Sequence, residues 1–235
     1  MMEKRYYFIL TALPELPQLG QPAPLGLAEF RELIIEEGPE SVLVDAVLLE
    51  EDLTMREAVL SGEIDHAEGI VLTDEQVMGR EDLPDFLRTE PDRHYRIAAD
   101  ATWWNYYNYV NDLAQSHHNA FLRNWVGFEV NLRNALVEAR AAKLNLQASD
   151  FIVAQDIGED QDVSEIISAW STAPTPIKAM QVLDQHRRKW LDDNVVYYNF
   201  GIDEILAYAR TLILVSRWYR LEEKSKNQSA EGGSL

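Results

Sequence analysis

The sequence predicts a mainly α protein, a helical bundle of long antiparallel helices with a short extended or β segment at its N-terminus. Apolar residues recur every three or four positions through most of the second half of the chain, as they do on one face of an α-helix. Two such stretches, residues 95–118 and 121–146, are separated by almost no loop, which favours an antiparallel hairpin. Proline and glycine lie largely between the periodic stretches, where helices are expected to end.

The N-terminal segments are less regular than the rest. Residues 6–12 are aromatic and apolar enough for a short strand or an extended anchor. A proline- and glycine-rich linker follows, over residues 14–24. Residues 27–37 then show a helical pattern that Gly38-Pro39 terminates.

The next segments are predicted to be short. Residues 41–51 fit a helix or a buried strand, and a helix is favoured because the neighbouring segments are helical. Residues 53–60 form another short helix that ends at Ser61-Gly62. The acidic stretch 63–91 indicates short helices and exposed loops, so that Glu50-Glu51 and similar acidic pairs are interpreted as solvated helix ends.

Helix signals are clearer towards the C-terminus. After a polar break near Gly158, residues 163–170 form a short helix. Thr175-Pro176 is typical of an N-cap followed by proline at the first helical position. Asp203 is expected to cap a last long helix. We treat residues 1–235 as a single domain, with a less regular part at 1–93, a long-helix part at 94–226 and a frayed tail at 227–235.

The charge of the chain excludes some classes of function. Forty acidic residues against 21 basic ones give a net charge of −19, which disfavours binding to nucleic acids and to anionic membrane surfaces. No cysteine is present, so there is no disulfide framework or thiolate site. No apolar run approaches the ~18 residues that span a bilayer. We therefore expect no direct membrane span and a cytoplasmic location.

The helix predicted over residues 121–146 carries charge within its apolar face. Glu129, Arg133 and Arg140 project between two apolar rows, where an unpaired charge costs several kcal/mol. The spacing of Glu129 and Arg133 makes them a candidate ion pair, and Arg140 needs another acid. The same helix is expected to have a solvated face, formed by Asn131, Asn134 and Glu138.

Motifs for catalysis, cofactor binding or metal binding are not apparent. There is no phosphate-binding glycine loop, nucleophile elbow or HExxH helix. His117 is interpreted as a core or helix-end residue rather than a ligand. The aromatic run Trp103–Tyr107 is interpreted as core packing because its members recur at helical spacing.

Three stretches resemble a known family. The first two are Tyr6-Tyr7-Phe8-Ile9-Leu10 with Leu13-Pro14-Glu15-Leu16, Pro24-Leu25 and Phe30, and the helix Phe121-Leu122-x-x-Trp125-x-x-Phe128-Glu129-x-Asn131-x-x-Asn134 with Arg140 and Lys143. The third is Phe200-Gly201-Ile202-Asp203-x-Ile205-Leu206-Ala207-Tyr208, running to Arg217-Trp218. Together they resemble a short bacterial family associated with V-type ATPases, itself similar to the funnel-shaped stalk adaptor of V/A-type ATPases. Asn131 stands where the larger family usually has an aspartate.

The resemblance implies a non-catalytic adaptor in the central stalk, or rotor, of a bacterial V/A-type ATPase. Such a subunit links the stalk to the membrane proteolipid ring during ion transport coupled to ATP hydrolysis or synthesis. Its expected partners are the central-stalk subunits and the ring, and it would be peripheral to the inner membrane through the complex. Candidate structural or partner-binding residues are Glu129, Arg133, Asn134 and Arg140.

Two other functions remain open from the sequence. One is a soluble helical enzyme with an acidic and aromatic site around Tyr106, Tyr107, Glu129 and His117. The other is a generic scaffold whose acidic surface recruits a basic protein. For the charged residues of the central helix, a buried ion network that fixes helix register competes with a socket for the stalk.

Overall fold

The computed structural model describes residues 6–35, 38, 40–88, 97–158 and 162–232, with side chains described up to residue 224. It is mainly α, as the sequence predicts, and no strand occurs within those ranges. The α-helices are α1 (Tyr7–Ala12), α2 (Leu27–Ile35), α3 (Ser41–Leu60), α4 (Asp74–Val77), α5 (Ala98–Ser116), α6 (Ala120–Leu144), α7 (Ser164–Thr172), α8 (Pro176–Asn194) and α9 (Ile202–Gly232). No helix of this described part is long and apolar enough to cross a membrane.

The prediction of an extended or β segment over residues 6–12 is wrong, because this segment forms helix α1. The Leu10 and Leu13 amides donate to the carbonyls of Tyr6 and Ile9, each at 2.9 Å. Within the described residues no strand is available to pair with this segment, and a helix satisfies its backbone groups locally.

Helix α3 is a single helix of 20 residues, whereas the sequence predicts two elements over the same range. The acidic interruption Glu50-Glu51-Asp52 suggests a break, but all three residues continue the helix. Glu51 and Asp52 are buried, because partners from other parts of the chain neutralise or bind their carboxylates. The helix ends at Ser61-Gly62, as predicted, where Gly62 has a φ of +75°.

Helices α5 and α6 form an antiparallel hairpin joined by residues 117–119. Asp100, near the start of α5, contacts Arg133 in the second half of α6 at 2.8 Å, which requires the two axes to run in opposite directions. The Asn119 side chain caps α6 by accepting a bond from the Leu122 amide at 2.6 Å.

The last two helices begin in different ways. Thr175 caps α8 and Pro176 occupies its first turn, as predicted. Asp203, in contrast, is not the cap of α9: it lies inside the first turn and accepts a bond from Asn119 at 2.7 Å. Glu204, one position later, accepts the amides of Tyr198 and Phe200. Helix α9 is described to residue 232, beyond the start of the tail that composition predicts to be frayed.

Helix α9 lies at the centre of the molecule. Residues 205–215 are almost all buried, and the helix contacts α2, α3, α6 and α8. A helix that is apolar on every side needs neighbours on every side. This packing places every polar residue of the buried part of α9 among other helices.

Asp52 attaches an acidic loop to helix α3. Its fully buried carboxylate accepts the amides of Ile70, Val71 and Leu72 at 2.7–2.8 Å. Burial raises the pKa of Asp52, and the three amide donors oppose that rise. The carboxylate therefore provides the acceptors that an otherwise irregular loop lacks.

We expect Asp52→Ala to lower the free energy of unfolding by about 2–4 kcal/mol, because three amides lose their acceptor and that of Leu72 is buried. Amide hydrogen exchange at Ile70 and Leu72 should accelerate. Asp52→Asn retains one acceptor and should lose less, and Asp65→Ala, an exposed change in the same loop, should change neither quantity. Equal effects of Asp52→Ala and Asp65→Ala would contradict this role.

Candidate functional site

Glu129, on helix α6, is a buried carboxylate with a partner on helix α8. Its side chain is 5% exposed, and both of its oxygens accept bonds from Arg187, at 2.7 and 2.9 Å. The predicted pair with Arg133 is therefore wrong. A neighbour four positions away on the same helix competes poorly with a planar guanidinium that faces the carboxylate with two donors.

Arg187 joins two buried acids. Its third nitrogen donates to Asp184 at 2.8 Å, and the Asp184 side chain is completely buried. The second oxygen of Asp184 accepts a bond from the indole of Trp218 at 2.9 Å. One arginine thus ties α6 to α8, and Asp184 extends the contact to α9.

Arg210, on helix α9, is the second buried cation and is 1% exposed. It donates to Glu50 of helix α3, lies 3.9 Å from Glu129 and stacks 4.7 Å from the centre of the Trp125 ring. A guanidinium on an aromatic face gains cation–π attraction, which offsets part of the loss of hydration. This residue connects α9 to both α3 and α6.

A third set of contacts lies nearer the surface. Glu51, which is 1% exposed, accepts a bond from Arg220 and lies 4.0 Å from Arg217. Arg217 is also 3.9 Å from Asp184, so this set is continuous with the buried centre. The interpretation of Glu50-Glu51 as a solvated helix end is wrong, since both face the arginines of α9.

We call these eight residues the arginine–carboxylate network, and their formal charges cancel. Its members are Glu50, Glu51, Glu129, Asp184, Arg187, Arg210, Arg217 and Arg220. Four helices contribute, namely α3, α6, α8 and α9. Buried charges are tolerated when each has an opposite partner, so the network holds these helices in one relative arrangement.

The electrostatics of the network keep its residues ionised. Burial opposes the charge of Glu129, but the charge and hydrogen bonds of Arg187 and the charge of Arg210 outweigh it and lower the pKa of Glu129. Burial would lower the pKa of Arg187, but Glu129 and Asp184 raise it well above its ordinary value. At neutral pH these groups are therefore fully charged.

A small cavity adjoins Glu129, Arg210, Tyr106 and Tyr107, with a volume of about 10 Å³. Such a space holds about one water molecule and no organic substrate. The Tyr106 hydroxyl donates to the Ala46 carbonyl at 3.1 Å, and burial raises the pKa of Tyr106 well above its ordinary value. His117 is exposed at the end of α5, about three turns from Tyr106. These residues do not converge on one reaction site.

Metal binding has no counterpart within the described ranges, where no group of three or more histidine, cysteine or acidic side chains could hold an ion. The aromatic run beginning at Trp103 packs in the core, as predicted, with Trp103, Tyr106 and Tyr107 buried.

The other predicted site residues lie in three separate places. Arg133 binds Asp100 at 2.8 Å and lies 5.5 Å from the centre of the Trp103 ring. Asn134 is half-buried rather than solvated: it donates to the Val153 carbonyl at 2.8 Å and accepts the Val153 amide at 3.1 Å. The candidate residues therefore do not form one cluster.

Arg140 does not have the buried acid that its position predicts. The side chain is exposed and lies 5.5 Å from the centre of the Trp170 ring on α7, beside Lys143 at 5.1 Å from the same ring. Helix α6 is less enclosed near its C-terminal end, so this part of the apolar face is covered by a single short helix.

A sequence profile described as "Protein of unknown function (DUF2764)" matches residues 71–229, about two thirds of the chain. The chain belongs to the DUF2764 family. No curated protein and no solved structure matches it. The region matched to DUF2764 contains α6, α8 and most of α9, and with them six of the eight network residues. The other two, Glu50 and Glu51, lie on α3 before the matched region.

Sequence reasoning on this DUF2764 chain missed most of the network. Arg210 was detectable, because it interrupts the apolar run Ile205–Val215 in the same way that Glu129 interrupts the apolar face of α6. Asp184 and Arg187 gave no such signal, because α8 is polar along most of its length. Their burial depends on how α8 packs against α6 and α9.

Proposed function

We propose that this chain is a non-catalytic central-stalk or rotor adaptor subunit of a bacterial V/A-type ATPase. The single observation that carries the proposal is the arginine–carboxylate network: the charges of the central helix are used in joining four helices and do not line a cleft. The resemblance of three stretches to the family associated with V-type ATPases indicates the complex in which the chain would act.

The mechanical demand on such a subunit agrees with this arrangement. An adaptor that transmits torque must resist sliding of its helices past one another. An ion pair buried between two helices resists sliding, because displacement by one helical turn would separate charges in a medium of low dielectric constant. We propose accordingly that the helices form one stiff bundle over the single domain 1–235, with Glu129 and Arg187 at its centre.

The proposed partners are the central-stalk subunits and the membrane proteolipid ring, with no nucleic acid involved. The chain would lie on the cytoplasmic side, peripheral to the inner membrane through the complex. Its part in ion transport would be coupling to ATP hydrolysis or synthesis, without a catalytic group of its own.

Co-purification tests this proposal. We expect affinity-tagged full-length chain, expressed in its own host and extracted in mild detergent, to carry stalk subunits and proteolipid with it in fixed proportion. A tagged chain with Arg140→Glu and Lys143→Glu, which reverses the exposed cations at the end of α6, tests whether that end takes part. Absence of every ATPase subunit from the unmodified preparation would refute the assignment.

A generic acidic scaffold is the second candidate, favoured by the net charge of −19. It predicts binding to many basic proteins with steep salt dependence and no fixed stoichiometry. A partner set restricted to ATPase subunits, retained near 0.3 M salt, would exclude it. Proximity of the coding sequence to those of catalytic and proteolipid subunits offers an independent check.

A further inference from the structure

Five exposed apolar side chains meet at one end of the molecule. Phe8 and Tyr198 are 82% and 85% exposed, and Tyr7, Val196 and Tyr197 are 41–67% exposed. We call these five residues the aromatic end patch. Large aromatic side chains exposed to this degree lose contact with water at little conformational cost when a partner covers them, which is why they dominate interface energetics.

Helix α1 and the loop between α8 and α9 are held together at this patch. The ring of Tyr7 packs edge-on against Phe200 with centroids 4.8 Å apart, and the Tyr6 amide donates to the Phe200 carbonyl at 3.4 Å. The patch is therefore continuous, although its two parts are nearly 190 residues apart in the chain.

The loop is held in an unusual backbone conformation. Tyr198 and Phe200 have φ values of +67° and +58°, in the left-handed region that aromatic residues rarely adopt. The 8%-exposed Glu204 fixes both by accepting their amides at 3.0 and 2.5 Å, and Asn199 accepts the Gly201 amide at 2.8 Å. Strain that the surroundings maintain in this way is typical of segments that are shaped in advance for binding.

The charges beside the patch indicate the kind of partner. Asp192 and Asp193 lie in the last turn of α8, which contains no basic residue, so both carboxylates face the negative end of the helix dipole. Lys189 pairs with Asp193 at 2.5 Å, whereas Asp192 has no cationic partner among the described residues and accepts only the Tyr197 hydroxyl, at 3.0 Å. A cation from a partner would relieve this unfavourable placement.

We propose that the aromatic end patch is a docking surface for a protein partner whose contact face is apolar and bordered by lysine or arginine. The aromatic rings supply the buried area, and the acids at the end of α8 select a basic partner. This proposal does not depend on the assignment to a rotor, since it rests on the patch alone.

Titration of the isotopically labelled full-length chain with a synthetic amphipathic helix of about 18 residues, built from leucine and lysine, tests the proposal. We expect amide shifts concentrated in residues 7–12 and 195–201. The double variant Phe8→Ser, Tyr198→Ser should bind the peptide at least about tenfold more weakly. Leu144→Ser, a matched change of an exposed residue at the far end of α6, should bind like the parent.

Charge selection has its own test. Asp192→Asn with Asp193→Asn should weaken the leucine–lysine helix several-fold, and a matched leucine–glutamate helix should not bind. Equal affinity for the two helices would overturn the proposal, and so would unchanged affinity of the double serine variant. Lys4 and Arg5 precede Tyr6 in the sequence, so vesicles containing phosphatidylserine are included, and vesicle binding lost in the serine variant would assign the patch to a membrane instead.

Discussion

Arg187→Met is expected to lower the free energy of unfolding by about 5 kcal/mol, the upper end of the range for breaking a buried ion pair. The substitution leaves the carboxylates of Glu129 and Asp184, 5% and 0% exposed, without their shared cation. Since a domain is stable by only about 5–15 kcal/mol, much of the chain should then be unfolded or poorly packed at about 37 °C. Urea unfolding followed by circular dichroism measures the loss.

Two further variants isolate the cause. Arg187→Lys keeps the charge but loses the paired donors, so it should recover only part of the stability. Lys189→Met removes an exposed cation of the same helix that pairs with Asp193, and it should leave the unfolding midpoint almost unchanged. A loss of similar size in Lys189→Met and Arg187→Met would show that the effect belongs to α8 in general and not to the network.

Glu129→Ala is expected to cost about 3 kcal/mol, somewhat less than Arg187→Met. Arg187 retains Asp184 and Arg210 retains Glu50, so each cation keeps one partner. Glu138→Ala, on the exposed face of the same helix, is the matched control and should be neutral. Thermal and urea unfolding of the three proteins provide the comparison.

The same residue predicts a pH dependence. The pKa of Glu129 is lowered on folding, so its stabilising contribution is complete above its unfolded pKa of about 4.3 and is lost as pH falls through the lower folded value. Glu129→Gln carries no such group. Its stability should therefore decline less steeply than that of the parent below about pH 4.

The outcome for Glu129 separates a structural role from partner binding. If Glu129→Ala unfolds like the parent but no longer co-purifies with stalk subunits, Glu129 is a contact residue and the structural role assigned to the network is wrong. If stability and co-purification fall together and Glu129→Gln recovers both in part, the network acts by holding the helices in place.

Local signals were sufficient for most of the helices. The hairpin of α5 and α6 follows from two periodic stretches with a loop of three residues between helices, and the start of α8 follows from Thr175-Pro176. The errors occurred where long-range contacts override local pattern. Residues 6–12 lack a strand to pair with in the described part, and the acids of α3 are buried against distant arginines.

The candidate site was predicted in part. The position of Glu129 inside an apolar face correctly indicated a buried charge that needs a partner. The partner was wrong, because spacing along one helix identifies only neighbours on that helix, whereas Arg187 comes from a helix 58 residues later. Arg140 was wrong for a related reason, since an apolar stripe does not reveal how far the neighbouring helices extend along it.

The sequence by itself determined that this protein is mainly helical, that its central helix carries a buried acid, and that an acidic composition disfavours nucleic acid as a partner. Only the tertiary structure decided which cations neutralise that acid, that Glu50 and Glu51 belong to the same network, and that Tyr7 and Tyr198 share one surface. The physical reason is range. Periodicity and capping depend on residues a few positions apart, whereas the pairing of buried charges depends on helices that only folding brings together.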